Sequence, residues 1–177
     1  MRGIEGRWKR ALGVVLLGLG YAAALAYGTI PAPYWQINLG ICYGFSAVAG
    51  ALYGPLGGGV SALVGEILGE QLAAGGMNGA LVAASIGSGV AAGGMHKIVA
   101  GSGPFGKRKW RALILWTLIG QAIGFLGIYW CCSSASLTEC FWRFFYNSVC
   151  AVFVGGLILM ALQEDQSSSS SSSSKAD

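Results

Sequence analysis

An all-α integral membrane fold, a compact bundle of six transmembrane helices with both termini cytoplasmic, is what this sequence predicts. Charged residues make up 10% of the 177 positions and hydrophobic residues 54%, whereas soluble domains carry roughly 25% charge. Six apolar stretches succeed one another along the chain, and lysine and arginine gather in only some of the segments between them. A water-soluble fold of this length needs far more polar surface than these residues supply.

The first stretch, Ala11–Tyr27, follows a basic segment containing Arg2, Arg7, Lys9 and Arg10. It is long for the apolar region of a signal peptide and reads as a retained first helix. The next stretches are Ile37–Tyr53, Leu56–Ala74, Asn78–Gly93, Ala112–Cys131 and Phe141–Leu162. About 17–20 helical residues cross the hydrocarbon core, so the second and fourth are short spans. Helices satisfy every backbone polar group within themselves, as lipid demands, and no alternating strands of a barrel are visible. Pro31 and Pro33 mark the first connection, Gly54-Pro55 the second and Gly75-Gly76 the third. Residues 96–111 form a long basic fourth connection, and residues 133–139 a fifth without positive charge. The domain plan is a basic cytoplasmic segment over residues 1–10, a membrane domain over 11–162, and a disordered serine-rich cytoplasmic tail over 163–177.

Orientation follows from lysine and arginine in short loops. With six helices, the basic amino-terminal segment, the basic fourth connection and the tail all lie in the cytoplasm. The first, third and fifth connections then face outward. Five helices would put one basic segment outside.

Polar residues within spans are expensive, about 2.5–3.5 kcal/mol when charged on insertion scales, and they concentrate in the outer half. Glu66 and Glu70 are one turn apart on the third helix, with Glu66 about 6 Å deeper. Arg143 and Asn147 repeat that spacing on the sixth. Gln36 and Asn38 open the second helix, Asn78 opens the fourth, and Gln121 lies near the middle of the fifth. Trp35 and Trp130 are candidate stacking walls. Two readings compete: an interfacial aromatic belt with a structural Glu66–Arg143 ion pair, or an outward-opening pocket whose charged and amide groups hold a polar small molecule. Small residues at four-residue spacing, including Gly65 with Gly69 and Gly120 with Gly124, let helix backbones approach closely. On the first helix Gly18, Ala22 and Ala26 share a face that serves either internal packing or docking of another subunit.

Other classes find little support. Nucleic-acid recognition needs basic residues gathered on one face with readers among them, and here they flank apolar runs. No P-loop, HExxH or GxSxG motif occurs, so no enzyme is expected and ATP would be used by separate subunits. The lone histidine, His96, reads as a loop residue. Cys131, Cys132 and Cys140 lie near one loop, while Cys42 and Cys150 read as small packing residues within apolar segments. No cofactor or metal site is indicated.

The stretch INLG at 37–40, followed by GALYGPLGGGVSALVGEILGE at 50–70, resembles the substrate-binding S components of energy-coupling factor vitamin transporters. The matching residues are Gly54, Pro55, Gly58, Gly65, Glu66, Gly69 and Glu70. The resemblance implies capture of a vitamin or similar micronutrient from outside. It also implies association with a transmembrane coupling subunit and two ATP-binding subunits, with Ala22 and Ala26 on the coupling surface. Glu66 and Glu70 stand where members often carry Asn or Asp. Two alternatives come from the residues themselves: an autonomous ion-coupled carrier using Glu66, and a membrane sensor domain.

Overall fold

The computed structural model describes residues 2–28, 30–31, 38–74, 79–101, 105–131 and 136–173. The described chain is helical apart from one two-residue pairing. Helix α1 spans Arg2–Tyr27, β1 Ile30–Pro31, β2 Asn38–Leu39, α2 Tyr43–Ala74 and α3 Gly79–Ala92. A 3-10 turn at Gly93–Met95 leads into α4, His96–Val99, followed by α5, Lys107–Cys131, and α6, Leu137–Ser173. Strands β1 and β2 pair antiparallel, Ile30 opposite Leu39 and Pro31 opposite Asn38.

Among the described residues four helices are long and apolar enough to cross a bilayer: Gly6–Tyr27, Tyr43–Ala73, Lys107–Tyr129 and Cys140–Gln163. The six expected spans therefore do not appear as six long helices. The second and third lie within α2, and the fourth is the 14-residue α3. Two boundaries also move. Helix α1 takes in the basic segment expected to precede it, and α6 runs on to Ser173, through most of the serine run expected to be disordered. Helix propagation costs far less than nucleation, so an apolar helix can carry a weak helix-forming sequence beyond its end.

Helix α2 is not one rod. Gly54 has φ 82° and ψ −174°, a conformation essentially reserved for glycine. Pro55, which suits the first turn of a new helix, follows it. A side-chain carbon at Gly57 would stand 3.2 Å from the carbonyl oxygen of Ala49, and one at Gly58 would stand 3.0 Å from Cα of Gly50. Residues eight apart in a continuous helix are separated by about 12 Å along the axis. The chain therefore reverses at Gly54, and α2 is a tight hairpin of two antiparallel arms.

The reversal orders both ends of the bundle. Gly54 packs beside His96, Gly93 against Pro55, and Gly13 of α1 against the Tyr53 ring. The His96 Nδ1 lies 2.8 Å from the Ala51 carbonyl oxygen, so this residue, expected in a loop, fastens α4 to the hairpin. Buried Lys109 donates to the Gly101 carbonyl at 2.8 Å and to Gln163 Oε1 at 3.3 Å, tying α5 to α6. The Gly54 turn and the basic residues of α4 and α5 thus share one end, towards which the basic start of α1 also runs. Near it sits the core of Val48, Ala51, Met95, Val99, Leu113 and Leu159, flanked by Trp110 and Trp116. At the opposite end the Gly40 N–H donates to Asn147 Oδ1 at 3.0 Å, fixing the segment after β2 to α6.

Backbone contact between the hairpin and α3 explains the glycines. A side-chain carbon at Gly58 would run into the Gly89 carbonyl, one at Gly89 into that of Gly58, and one at Gly50 would stand 2.8 Å from the Gly93 nitrogen. Such approach is what small residues permit between membrane helices. On α1, Gly18 packs against the Ser61 carbonyl and Val64, and Ala22 is 2% exposed. The expected docking role of this face is corrected for these two residues: α2 already occupies it. Ala26 is half-buried, and the outward face of α1 carries Trp8, Leu12, Leu16 and Leu19 instead.

Gly58→Ala should lower stability by about 1–3 kcal/mol, because backbone on both sides leaves no room for a methyl group. Gly54→Ala should cost a similar ~1–3 kcal/mol through its backbone conformation. Gly6→Ala, which meets nothing within 4 Å, serves as the control. Thermal unfolding in detergent measures all three, and a Gly58→Ala protein as stable as the parent would rule out the close approach.

Candidate functional site

The two arms of α2 are antiparallel, so Tyr43 near its start and Glu66 in its second arm meet at one level, away from the basic end. Helix α1 contributes Tyr21, whose ring packs over Gly65 and meets the Tyr43 ring edge-on with centroids 5.9 Å apart. Helix α3 contributes Ser85. The Tyr21 hydroxyl donates to Glu66 Oε2 at 2.5 Å, and Ser85 Oγ donates to the same oxygen at 2.8 Å. Glu66 is 2% exposed. A carboxylate buried this deeply needs such donors, because an unsatisfied one carries a heavy desolvation penalty. The hydrogen-bonding partners of Glu66 are thus two hydroxyls, and the ion pair with Arg143, one of the two arrangements weighed from the sequence, is not among its contacts.

In front of this cluster lies a narrow cleft of about 50 Å³, walled by α3, α5, α6 and the start of α2. Its polar surface comes from Ser85, Ser88, Gln121, Arg143 and Asn147, and its aromatic surface from Tyr43, Phe125 and Phe144. Gln121 Nε2 donates to Ser88 Oγ at 3.2 Å, joining α5 to α3. Gly120 packs against the Ser88 carbonyl, which brings the two helices close enough for that bond. Phe125 and Phe144 meet at 6.1 Å in an edge-on arrangement across the α5–α6 side. The mixture suits a small solute with a flat apolar body and a few hydrogen-bonding edges.

Of the residues expected at the site, Gln121, Arg143 and Asn147 line the cleft. Glu66 stands behind its wall, reaching it through Ser85. Glu70 lies one turn further along the same arm, half-buried and engaged with neighbouring groups. Trp35, Gln36 and Asn78 fall outside the described residues. Asn38 and Trp130 lie in described backbone, at β2 and on α5, but their side chains fall outside. Cys131 and Cys132 likewise give no side-chain geometry, whereas Cys140 is buried at the cleft. Cys42 and Cys150 are free thiols. Among the described residues no cluster of histidine, cysteine and carboxylate side chains could hold a metal ion.

Sequence reasoning did not anticipate Tyr21, Tyr43, Ser85, Ser88, Phe125 or Phe144. A signal for the serines was present: Ser85 and Ser88 sit three apart on α3, hence on one face, in an otherwise apolar segment. No protein-family model, curated protein or solved structure matches the chain.

Glu66→Ala should destabilise the protein by about 1–3 kcal/mol by leaving the Tyr21 and Ser85 hydroxyls without their acceptor. The triple change Tyr21→Phe, Ser85→Ala, Glu66→Leu should recover much of that loss, since replacing all partners by apolar groups removes the unmet donors. Detergent melting curves of the two proteins test the cluster, and equal midpoints for Glu66→Ala and the parent would contradict it.

Proposed function

We propose that this chain is the substrate-capture S subunit of an energy-coupling factor importer. It takes a vitamin-like small molecule from the outer side and passes it inward with a transmembrane coupling subunit and two ATP-binding subunits. The observation that carries the reading is the position of the cleft: a polar and aromatic cavity at the end of the bundle opposite the basic residues of α4 and α5. Loop lysine and arginine residues mark the cytoplasmic side, so the cleft end is the outer one. The proposal includes six crossings with both termini cytoplasmic in the plasma membrane. The two arms of α2 count as separate passes, and α3 is extended by the 3-10 turn and α4. The Gly-Pro reversal falls at the cytoplasmic surface, where the resemblance noted above expects a turn. The protein itself carries no catalytic step on this reading.

A second reading draws on Glu66. A buried carboxylate held by hydroxyls from two other helices is the kind of group through which an ion-coupled carrier works. That protein would transport in liposomes alone, whereas an S subunit would need its ATP-binding partners.

Two outcomes are expected. Affinity purification from native membranes should bring down a coupling subunit and an ATP-binding pair. Uptake by proteoliposomes holding this chain alone, driven by an ion gradient, would replace the importer with the carrier. In a background with the native cysteines changed to serine, Leu72→Cys should react with an impermeant maleimide from outside intact cells, and Lys97→Cys only after permeabilisation. The reverse pattern would place the cleft on the cytoplasmic side and end the capture reading.

A further inference from the structure

The cleft wall carries an order of hydrogen-bond donors and acceptors that follows from the buried cluster behind it. Glu66 is an acceptor shared by two hydroxyls. Tyr21 has one proton and gives it to Oε2, and Ser85 likewise has one and gives it to the same oxygen. Ser85 is also a cleft residue. With its proton turned away toward Glu66, it meets a solute only through oxygen lone pairs.

Ser88 is set the opposite way. Its Oγ accepts from Gln121 Nε2, which leaves its own O–H to be given outward. Ser85 and Ser88 are three residues apart on α3, so the two hydroxyls are neighbours on one face. An acceptor therefore lies beside a donor on a wall that faces aromatic rings, and both serines are themselves buried, 2% and 5% exposed.

We infer that this pair reads the N–H and C=O edge of a cyclic amide, a lactam or ureide fused to or part of a flat ring. Ser85 accepts the ring N–H, Ser88 donates to the carbonyl, and Glu66 acts as a positioning residue that holds Ser85 in its accepting orientation. Glu66 does not touch the solute. This deepens the capture reading and rests on the cleft being the solute site.

The test uses quinazolin-4-one, which presents such an edge, and 3-methylquinazolin-4-one, in which a methyl group replaces the N–H. Both are titrated against the full chain in lipid nanodiscs by saturation-transfer NMR. The parent protein should bind the methylated compound about tenfold more weakly, the effect of one hydrogen bond lost with its buried partner left unmet. Ser85→Ala should bring the two affinities to within about twofold of each other. Glu66→Gln should do the same, because its amide can donate to Ser85 and release the serine proton toward the cleft. Glu66→Asp should restore the discrimination. Because discrimination is a ratio, a uniform loss of stability does not move it. Ser85→Ala keeps the test open if Glu66→Gln does not fold. Equal binding of the two compounds by the parent, or binding of neither, overturns the edge assignment. Discrimination that survives Glu66→Gln but not Ser85→Ala overturns the positioning role. None of these results bears on the co-purified ATP-binding pair, so the capture reading stands or falls separately.

Discussion

The reversal at Gly54 is the constraint on which the remaining architecture depends. A conformation open to glycine, followed at once by a proline that begins a fresh helix, folds α2 back on itself within a single residue. The arms then lie so close that backbone meets backbone, and Gly58 and Gly89 extend that contact to α3. Lipid supplies no hydrophobic drive for helices to associate, so close packing of this kind is a principal source of cohesion. The hairpin also brings Tyr43 level with Glu66, which lets groups from α1, α2 and α3 converge.

The convergence has a chemical result. Burial penalises an unpaired carboxylate, and the protein meets that penalty at Glu66 with hydroxyl donors from Tyr21 and Ser85. Arginine is left to the cleft, where Arg143 sits with Gln121 and Asn147. The bundle is thus polarised along its length: a dry core of aliphatic and tryptophan side chains near the basic end, and a polar, ring-lined cavity at the other.

Much of this plan was legible from residues alone. The apolar stretches, the Gly-Pro break and the gathering of Glu66, Gln121, Arg143 and Asn147 toward one end all follow from hydropathy, punctuation and helical spacing. What escaped has physical reasons. Serine is a small residue that apolar helices carry without disturbance, so Ser85 and Ser88 did not stand out within an apolar stretch. Tyr21 meets Glu66 across 45 residues of sequence, and no local pattern reports a partner so distant. Small-residue periodicity gives a face but not what covers it, and the face of α1 carrying Gly18 and Ala22 turned out to meet α2. The second and third spans, expected as separate helices on either side of Gly54-Pro55, meet at a turn so short that they run on as the single element α2.

Such a turn also restricts how the chain can vary in length. Each residue added to or removed from an arm rotates everything beyond it by about 100° about the helix axis. One insertion between Tyr43 and Gly54, or between Pro55 and Glu66, would swing Tyr43 or Glu66 away from the other. Tolerance for insertions should therefore lie outside this 24-residue segment, Tyr43–Glu66, whose two arms act as a fixed ruler.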